Sequence, residues 1–182
     1  ARDLNPVRLY EGLLAEEFNP QPLPPVPDRW LLGGHNHPSK GWPDFVQAWP
    51  RLRIKPKHLA VTSFDSLANL PAHPIGRLPP AELWEQVDLL IHPSRGESFG
   101  LLVAEALAAG IPVVASRTGL MEELHWPFVF PPGDVDGLVD AIHQVVDAWP
   151  AMKTHINLAQ EKLRLHFPAS RAGAILCQTL GL

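Results

Sequence analysis

Short apolar runs alternate along the chain with longer segments whose apolar residues recur every three or four positions. Trp30 to Leu32, His58 to Ser63 and Pro112 to Ala115 read as strands, and Leu89 to Ile91 reads as a buried one. Shorter strands are predicted near His73 to Ile75 and at Phe128 to Phe130. Helices are predicted over Pro43 to Trp49, Ala81 to Gln86, Phe99 to Ala109 and Met152 to Leu165. A further helix over Asp136 to Ala148 carries Leu138, Val139, Ile142, Val145 and Val146 at helical spacing. Strands and helices alternating in this way predict an α/β domain: a Rossmann-like parallel sheet with helices on both faces. Ligands in such sheets bind beyond the carboxyl ends of the strands.

One of those ends is chemically distinctive. Pro93 to Gly110 reads P-S-R-G-E-S-F-G-L-L-V-A-E-A-L-A-A-G, which is strand, glycine-containing loop, helix. Gly96 and Gly100 let the chain turn sharply, and the start of the helix presents unpaired N–H groups and the positive end of its dipole. Such a geometry suits a phosphate. Glu105 is the only charged residue from Phe99 to Gly110, with Leu101, Leu102, Ala108 and Ala109 three and four positions away. A lone carboxylate there needs a hydrogen-bonding partner. At roughly 8 Å along the axis from the helix start, it would suit the diol of a ribose attached to a phosphate. Glu97 lies in the loop, where it could reach what lies beyond the phosphate. The plainer alternative is that Glu97 favours the helix dipole and Glu105 reaches solvent or caps a neighbouring loop.

These two glutamates resemble the E-x7-E signature of the retaining GT-B glycosyltransferases of family 4, the group 1 glycosyl transferases. Leu31-Leu32-Gly33-Gly34 with Ser39-Lys40-Gly41 resembles that family's first donor-domain strand and lysine-glycine loop. Ile75-Gly76-Arg77-Leu78 and the following Pro79 to Trp84 resemble the segment flanking the nucleobase and its helix. Ile111 to Ser116 and Thr118 to Leu124 follow in the family's order, and Leu9 to Gly12 with Phe18-Asn19-Pro20 resembles its interdomain hinge.

The resemblance implies the C-terminal half of a GT-B fold, binding a nucleotide diphosphate sugar and passing the sugar to an acceptor with retention, in polysaccharide or glycoconjugate synthesis. It implies Lys40 and Glu97 as catalytic residues, Lys40 neutralising the departing diphosphate and Glu97 holding the donor sugar. Glu105 would bind ribose. The backbone of Phe99, Gly100, Leu101 and Leu102 would contact phosphate and sugar, Arg77 and Leu78 would lie against the base, and Glu123 would occupy the acidic position after the Thr118-Gly119 turn. His35 stands where the resemblance leads one to expect an arginine. A protonated His35, or Arg95 or Arg77 in compensation, would supply the missing charge; otherwise phosphate binding is weak. Leu120 and Glu122 also replace a glycine and a proline of the pattern.

Length and composition narrow the reading. The 182 residues suit one domain, whereas GT-B needs two. Residues 1–28 are read as hinge and connector, stiffened by the prolines between Pro20 and Pro27, and residues 29–182 as the donor domain. Beginning at Ala1 beside the hinge, the chain reads as an excised or processed piece, or as one subunit of a split enzyme. Its partners would be the nucleotide sugar, the missing acceptor domain in the same chain or a separate one, and a glycan, lipid or small-molecule acceptor. A net charge of −4 gives no reason to expect nucleic acid. The single cysteine, Cys177, excludes an internal disulfide, and no apolar run is long enough to span a membrane. A cytoplasmic location is expected, or one peripheral to the inner face of a membrane through the missing domain.

Three motifs are set aside. His35-Asn36-His37 lacks the further ligands of a metal nuclease. Asp134-Val135-Asp136 follows Pro-Pro-Gly and precedes a helix, so an N-cap with a first-turn acid explains it. The nine histidines show no ligand spacing, and neither a metal nor another cofactor is expected. Two rivals share the fold: a noncatalytic nucleotide-sugar module, and a nucleotide-sugar epimerase. A dinucleotide oxidoreductase is disfavoured, because no G-x-G-x-x-G follows the first strand.

Overall fold

The computed structural model describes Leu13, residues 20–63, residues 69–168 and Ser170. Six strands are present: β1 (Arg29–Leu32), β2 (His58–Val61), β3 (Ala72–Pro74), β4 (Leu89–His92), β5 (Val113–Ser116) and β6 (Val129–Phe130). They form one parallel sheet in the order β3-β2-β1-β4-β5-β6. Every residue of β4 and β5 is buried, as expected of central strands covered on both faces.

The helices supply that cover. They are α1 (Trp42–Ala48), α2 (Pro80–Trp84), α3 (Leu101–Ala108), α4 (Leu120–Leu124), α5 (Val135–Asp147) and α6 (Met152–His166). α1 packs with α5, and α3 packs with α6. In α5 the predicted stripe is the buried one: Leu138, Val139, Ile142 and Val145 face the core. No helix among the described residues is long and apolar enough to cross a membrane.

Strand order is what positions the site. From β1 the chain moves outward to β2 and β3, then returns to place β4 on the other side of β1. The connections leaving β1 and β4 therefore part toward helices on opposite faces, and the carboxyl edge at such a switch point is the usual ligand position in open α/β sheets. The loops after β1 and β4 are those carrying Lys40 and Glu97.

The proposed hinge at Leu9 to Gly12 and Phe18-Asn19 lies outside the described residues, and so does Cys177. The proline-rich segment from Pro20 to Pro27 is fastened to the domain. Gln21 N–H donates to the Ala109 carbonyl (2.9 Å), Trp149 Nε1 donates to Pro24 O (2.8 Å), and Leu23 packs against the core.

Candidate functional site

Three loops meet at the carboxyl edge, and glycines allow the contact. Gly41 has φ 68°, and a Cβ added there would lie 1.8 Å from the Pro93 carbonyl oxygen. No side chain fits, so the Lys40 loop is pressed against the Glu97 loop. Arg95 N–H donates to Ser39 O at 2.7 Å across the same seam. Gly119 repeats the device: its added Cβ would meet Phe99 O at 2.5 Å, and Leu120 N–H donates to that oxygen at 2.7 Å. Trp42, buried, donates Nε1–H to Gly33 O at 2.9 Å and anchors the β1 loop from below.

Glu97 lies at the meeting point. Lys40 Nζ donates to its Oε1 at 2.7 Å, and His92 Nε2 lies 2.9 Å from the same oxygen. Both Lys40 and Glu97 are largely buried. Burial alone would push the Glu97 carboxyl up; hydrogen bonds from His92, Lys40 and Ser94 outweigh it and hold the group at about 2, against an ordinary 4.5. Glu97 is therefore an anion throughout the physiological range.

Beside this cluster a cavity of about 700 Å³ opens between the β1 loop, the segment after β3 and α3. His35, Arg77, Leu78, Leu101, Leu102 and Glu105 line it, together with Thr62 and Ser63. Gly34 joins the two parts of the site: it lines the cavity, and its added Cβ would touch the Lys40 stem at 3.2 Å. Glu105 is half-buried on the cavity wall. The first turn of α3 has no side-chain cap; Val103 N–H donates to Gly100 O at 3.0 Å, and the N–H groups of Leu101 and Leu102 are left to a ligand.

The remaining predicted residues are placed as follows. α3 begins at Leu101, two residues later than the pattern implies, because Gly100 takes a left-handed φ of 93°. Phe99 turns its ring into the core against Phe167, leaving only its backbone near the site. Glu123 is exposed on α4 and does not line the cavity. Arg95 forms a fork with buried Asp44, Nε to Oδ2 at 3.0 Å and Nη2 to Oδ1 at 2.6 Å. That fork braces the Glu97 loop against α1 and commits the Arg95 guanidinium to Asp44. Arg77 lines the cavity and makes no ion pair among the described residues. Asp134 caps α5 through Gly137 N–H at 2.9 Å, and the first-turn acid Asp136 pairs with Arg51.

His92 and Asp44 were not among the residues predicted from the sequence. The available signal for His92 was a polar residue closing the apolar run Leu89-Leu90-Ile91, five positions before Glu97.

Comparison with known proteins points the same way. The model of the family described as glycosyl transferases group 1 matches residues 28–148. D-inositol 3-phosphate glycosyltransferase of Segniliparus rotundus is 44% identical over 55 residues, covering 30% of this chain and 12% of that protein. Among solved structures, Anabaena HepE in complex with UDP and glucose superposes with a TM-score of 0.76 at 19% identity, covering 95% of this chain and 56% of that one. The C-terminal domain of the Francisella tularensis group 1 glycosyl transferase LpcC superposes at 0.68 and 16% identity, covering 86% of this chain and 99% of that domain. The chain thus spans about half of HepE, and its match spans about an eighth of the curated relative.

Proposed function

This chain belongs to the group 1 glycosyl transferases, and from that premise we propose that it is the donor-binding half of a retaining enzyme using a nucleoside diphosphate sugar. The carrying observation is the juxtaposition of a cavity of about 700 Å³, lined by Glu105 and the uncapped start of α3, with the largely buried Lys40–Glu97 pair, which Gly34 joins to it. HepE, with the same fold, was solved with UDP and glucose, which supports a nucleotide sugar as the class of ligand.

Each group has a task in this reading. Glu105 accepts hydrogen bonds from the ribose hydroxyls, and Leu78 and Arg77 flank the base. The diphosphate lies toward the first turn of α3, where N–H groups and the helix dipole meet it. Transfer breaks the bond between the anomeric carbon and the diphosphate oxygen, which leaves with the electron pair. The acceptor oxygen bonds to that carbon and passes its proton to the departing diphosphate. Lys40 and the α3 terminus stabilise the charge on the leaving group as it grows. Glu97 holds the donor sugar and faces the positive character developing on its ring. No resident metal or other cofactor is needed for these roles. The acceptor site belongs to a separate domain, so the chain by itself binds donor and transfers little; vigorous transfer by these 182 residues alone would refute that.

The test is calorimetric titration with UDP, GDP, ADP and their sugar conjugates, repeated on Glu105→Ala. Selective binding that weakens in the variant is expected; failure of every compound to bind would sink the donor site. His35, in place of the expected arginine, favours a second reading, a noncatalytic nucleotide-sugar module. In the complete protein, Lys40→Ala and Glu97→Ala abolish transfer if the first reading holds and change nothing if the second does.

A further inference from the structure

His92 is hard to explain by packing. It closes β4, is 4% exposed, and sits beneath Gly33. A Cβ added at Gly33 would lie 2.7 Å from Leu102, 2.9 Å from Leu90 and 3.1 Å from His92 Nδ1. Nδ1 is buried with no hydrogen-bond partner among the described residues. An aliphatic side chain in this slot would leave no polar atom stranded. Among the described residues the imidazole makes one polar contact, Nε2 to Glu97 Oε1 at 2.9 Å. A carboxylate accepts only, so Nε2 carries the proton of this contact.

Lys40 donates to the same oxygen from the other loop. The two donors differ in kind. The imidazole is fixed by its packing under the β1 loop, whereas the ammonium ends a flexible stem and can turn to a different anion. We infer that His92 is a positioning residue that holds Glu97 in place independently of Lys40, leaving Lys40 free to move onto the departing phosphate. This rests on the donor-site reading above for its catalytic consequence, and on the geometry alone for the anchoring of Glu97.

The anchoring is tested without any ligand, by following the Glu97 carboxyl by carbon NMR during acid titration of this chain. Glu97 faces two titratable groups, Lys40 and His92, besides the Ser94 hydroxyl. His92→Leu is expected to raise the midpoint, His92→Gln to keep it near its starting value by preserving a donor, and Lys40→Ala to leave it below the ordinary 4.5. An unmoved midpoint in His92→Leu, or full return to the ordinary value in Lys40→Ala alone, would overturn the proposal.

The catalytic consequence is tested in the complete protein with whichever of UDP-, GDP- or ADP-glucose the parent binds. His92→Leu should lose about 10- to 100-fold in kcat. Affinity for the free nucleoside diphosphate should change by less than about threefold, and His92→Gln should recover most of the rate. Thermal melting of both variants separates this from misfolding. Equal losses in the two variants, or a loss confined to nucleotide affinity, would overturn it. If the parent binds none of these compounds, the donor-site reading fails, while the carboxyl titration still decides whether His92 anchors Glu97.

Discussion

The two ends of β4 each carry a largely buried carboxylate paired with a cation, and they are built for opposite purposes. Asp88, just before the strand, receives the N–H groups of Asp28 (3.0 Å) and Arg29 (2.8 Å) on one oxygen, and Arg29 Nε (2.9 Å) and Nη2 (2.6 Å) on the other. All its partners belong to the start of β1, so it stitches two neighbouring strands. The hollow beside it is about 220 Å³. Glu97, after the strand, gathers Lys40 and His92 on one oxygen, from two different elements, beside a cavity three times larger. A carboxylate filled on one oxygen by two backbone N–H groups and on the other by a guanidinium fork from the same strand is a structural joint. One held by a mobile ammonium at a cavity rim can exchange partners.

Substitutions that leave the fold intact should separate the two ends. Glu97→Gln keeps the shape and removes the charge, and Lys40→Ala removes the cation. Each is expected to lower transfer by the complete protein about 100- to 1,000-fold, the scale for losing one group that stabilises developing charge. The thermal unfolding midpoint should fall by only a few degrees, the scale of an ion pair contributing about 1–2 kcal/mol at a partly solvated rim. A variant retaining more than about a third of parental transfer would erase the distinction drawn between the ends.

At the other end the expectation is reversed. Asp88→Ala strands the Asp28 and Arg29 N–H groups and the Arg29 guanidinium, which is 44% exposed and so partly rehydrated. Breaking a buried, multiply hydrogen-bonded pair of this kind costs about 3 kcal/mol. Urea denaturation should show that loss, while nucleotide affinity of the folded fraction stays unchanged. Weakened nucleotide binding in folded Asp88→Ala would mean that the two ends communicate.

The contrast was only partly legible in the sequence. β1, β4 and β5 announce themselves because central parallel strands are apolar on both faces, and α5 because its stripe is regular. α4 does not: its five residues depend on Gly119 docking against the Phe99 carbonyl, a contact made across the chain. The same docking, with the left-handed Gly100, delays the start of α3. Glu97, Lys40 and Glu105 were found through their spacing and their resemblance to a known pattern. Arg95 was left ambiguous because its partner, Asp44, lies 51 residues away. His92 gives only the faint signal of a polar residue closing an apolar run, because its partner is a carboxylate around a loop. What the sequence hides here is pairing, which tertiary structure alone decides.

Glu105 sharpens the comparison within the Glu97 end, because it sits on the cavity wall and not in the ion cluster. Replacing it with Ala removes the acceptor proposed for the ribose diol. Affinity for the preferred nucleoside diphosphate should fall about tenfold, near 1.4 kcal/mol, the scale of one or two hydrogen bonds to a charged group. A 2′,3′-dideoxy nucleotide should bind the parent and the variant alike. If the variant discriminates as the parent does, the ribose is held elsewhere.

The smallest effect is in pH, and it follows from the Glu97 partners directly. Its carboxyl is held at about 2 in the folded chain, against an ordinary 4.5. A carboxyl lowered by folding stabilises the native state fully above the ordinary value, and that contribution is lost as pH falls from about 4.5 through about 2. Screening at a partly solvated rim reduces the increment to about 1–2 kcal/mol. Gln at this position cannot titrate. The stability of the parent relative to Glu97→Gln should therefore be greatest at neutral pH and decline through pH 4 and pH 3 in denaturant titrations. A difference that stays flat, or widens on acidification, would mean that Lys40 and His92 do not stabilise the Glu97 anion, and that this end of β4 is no more adaptable than the other.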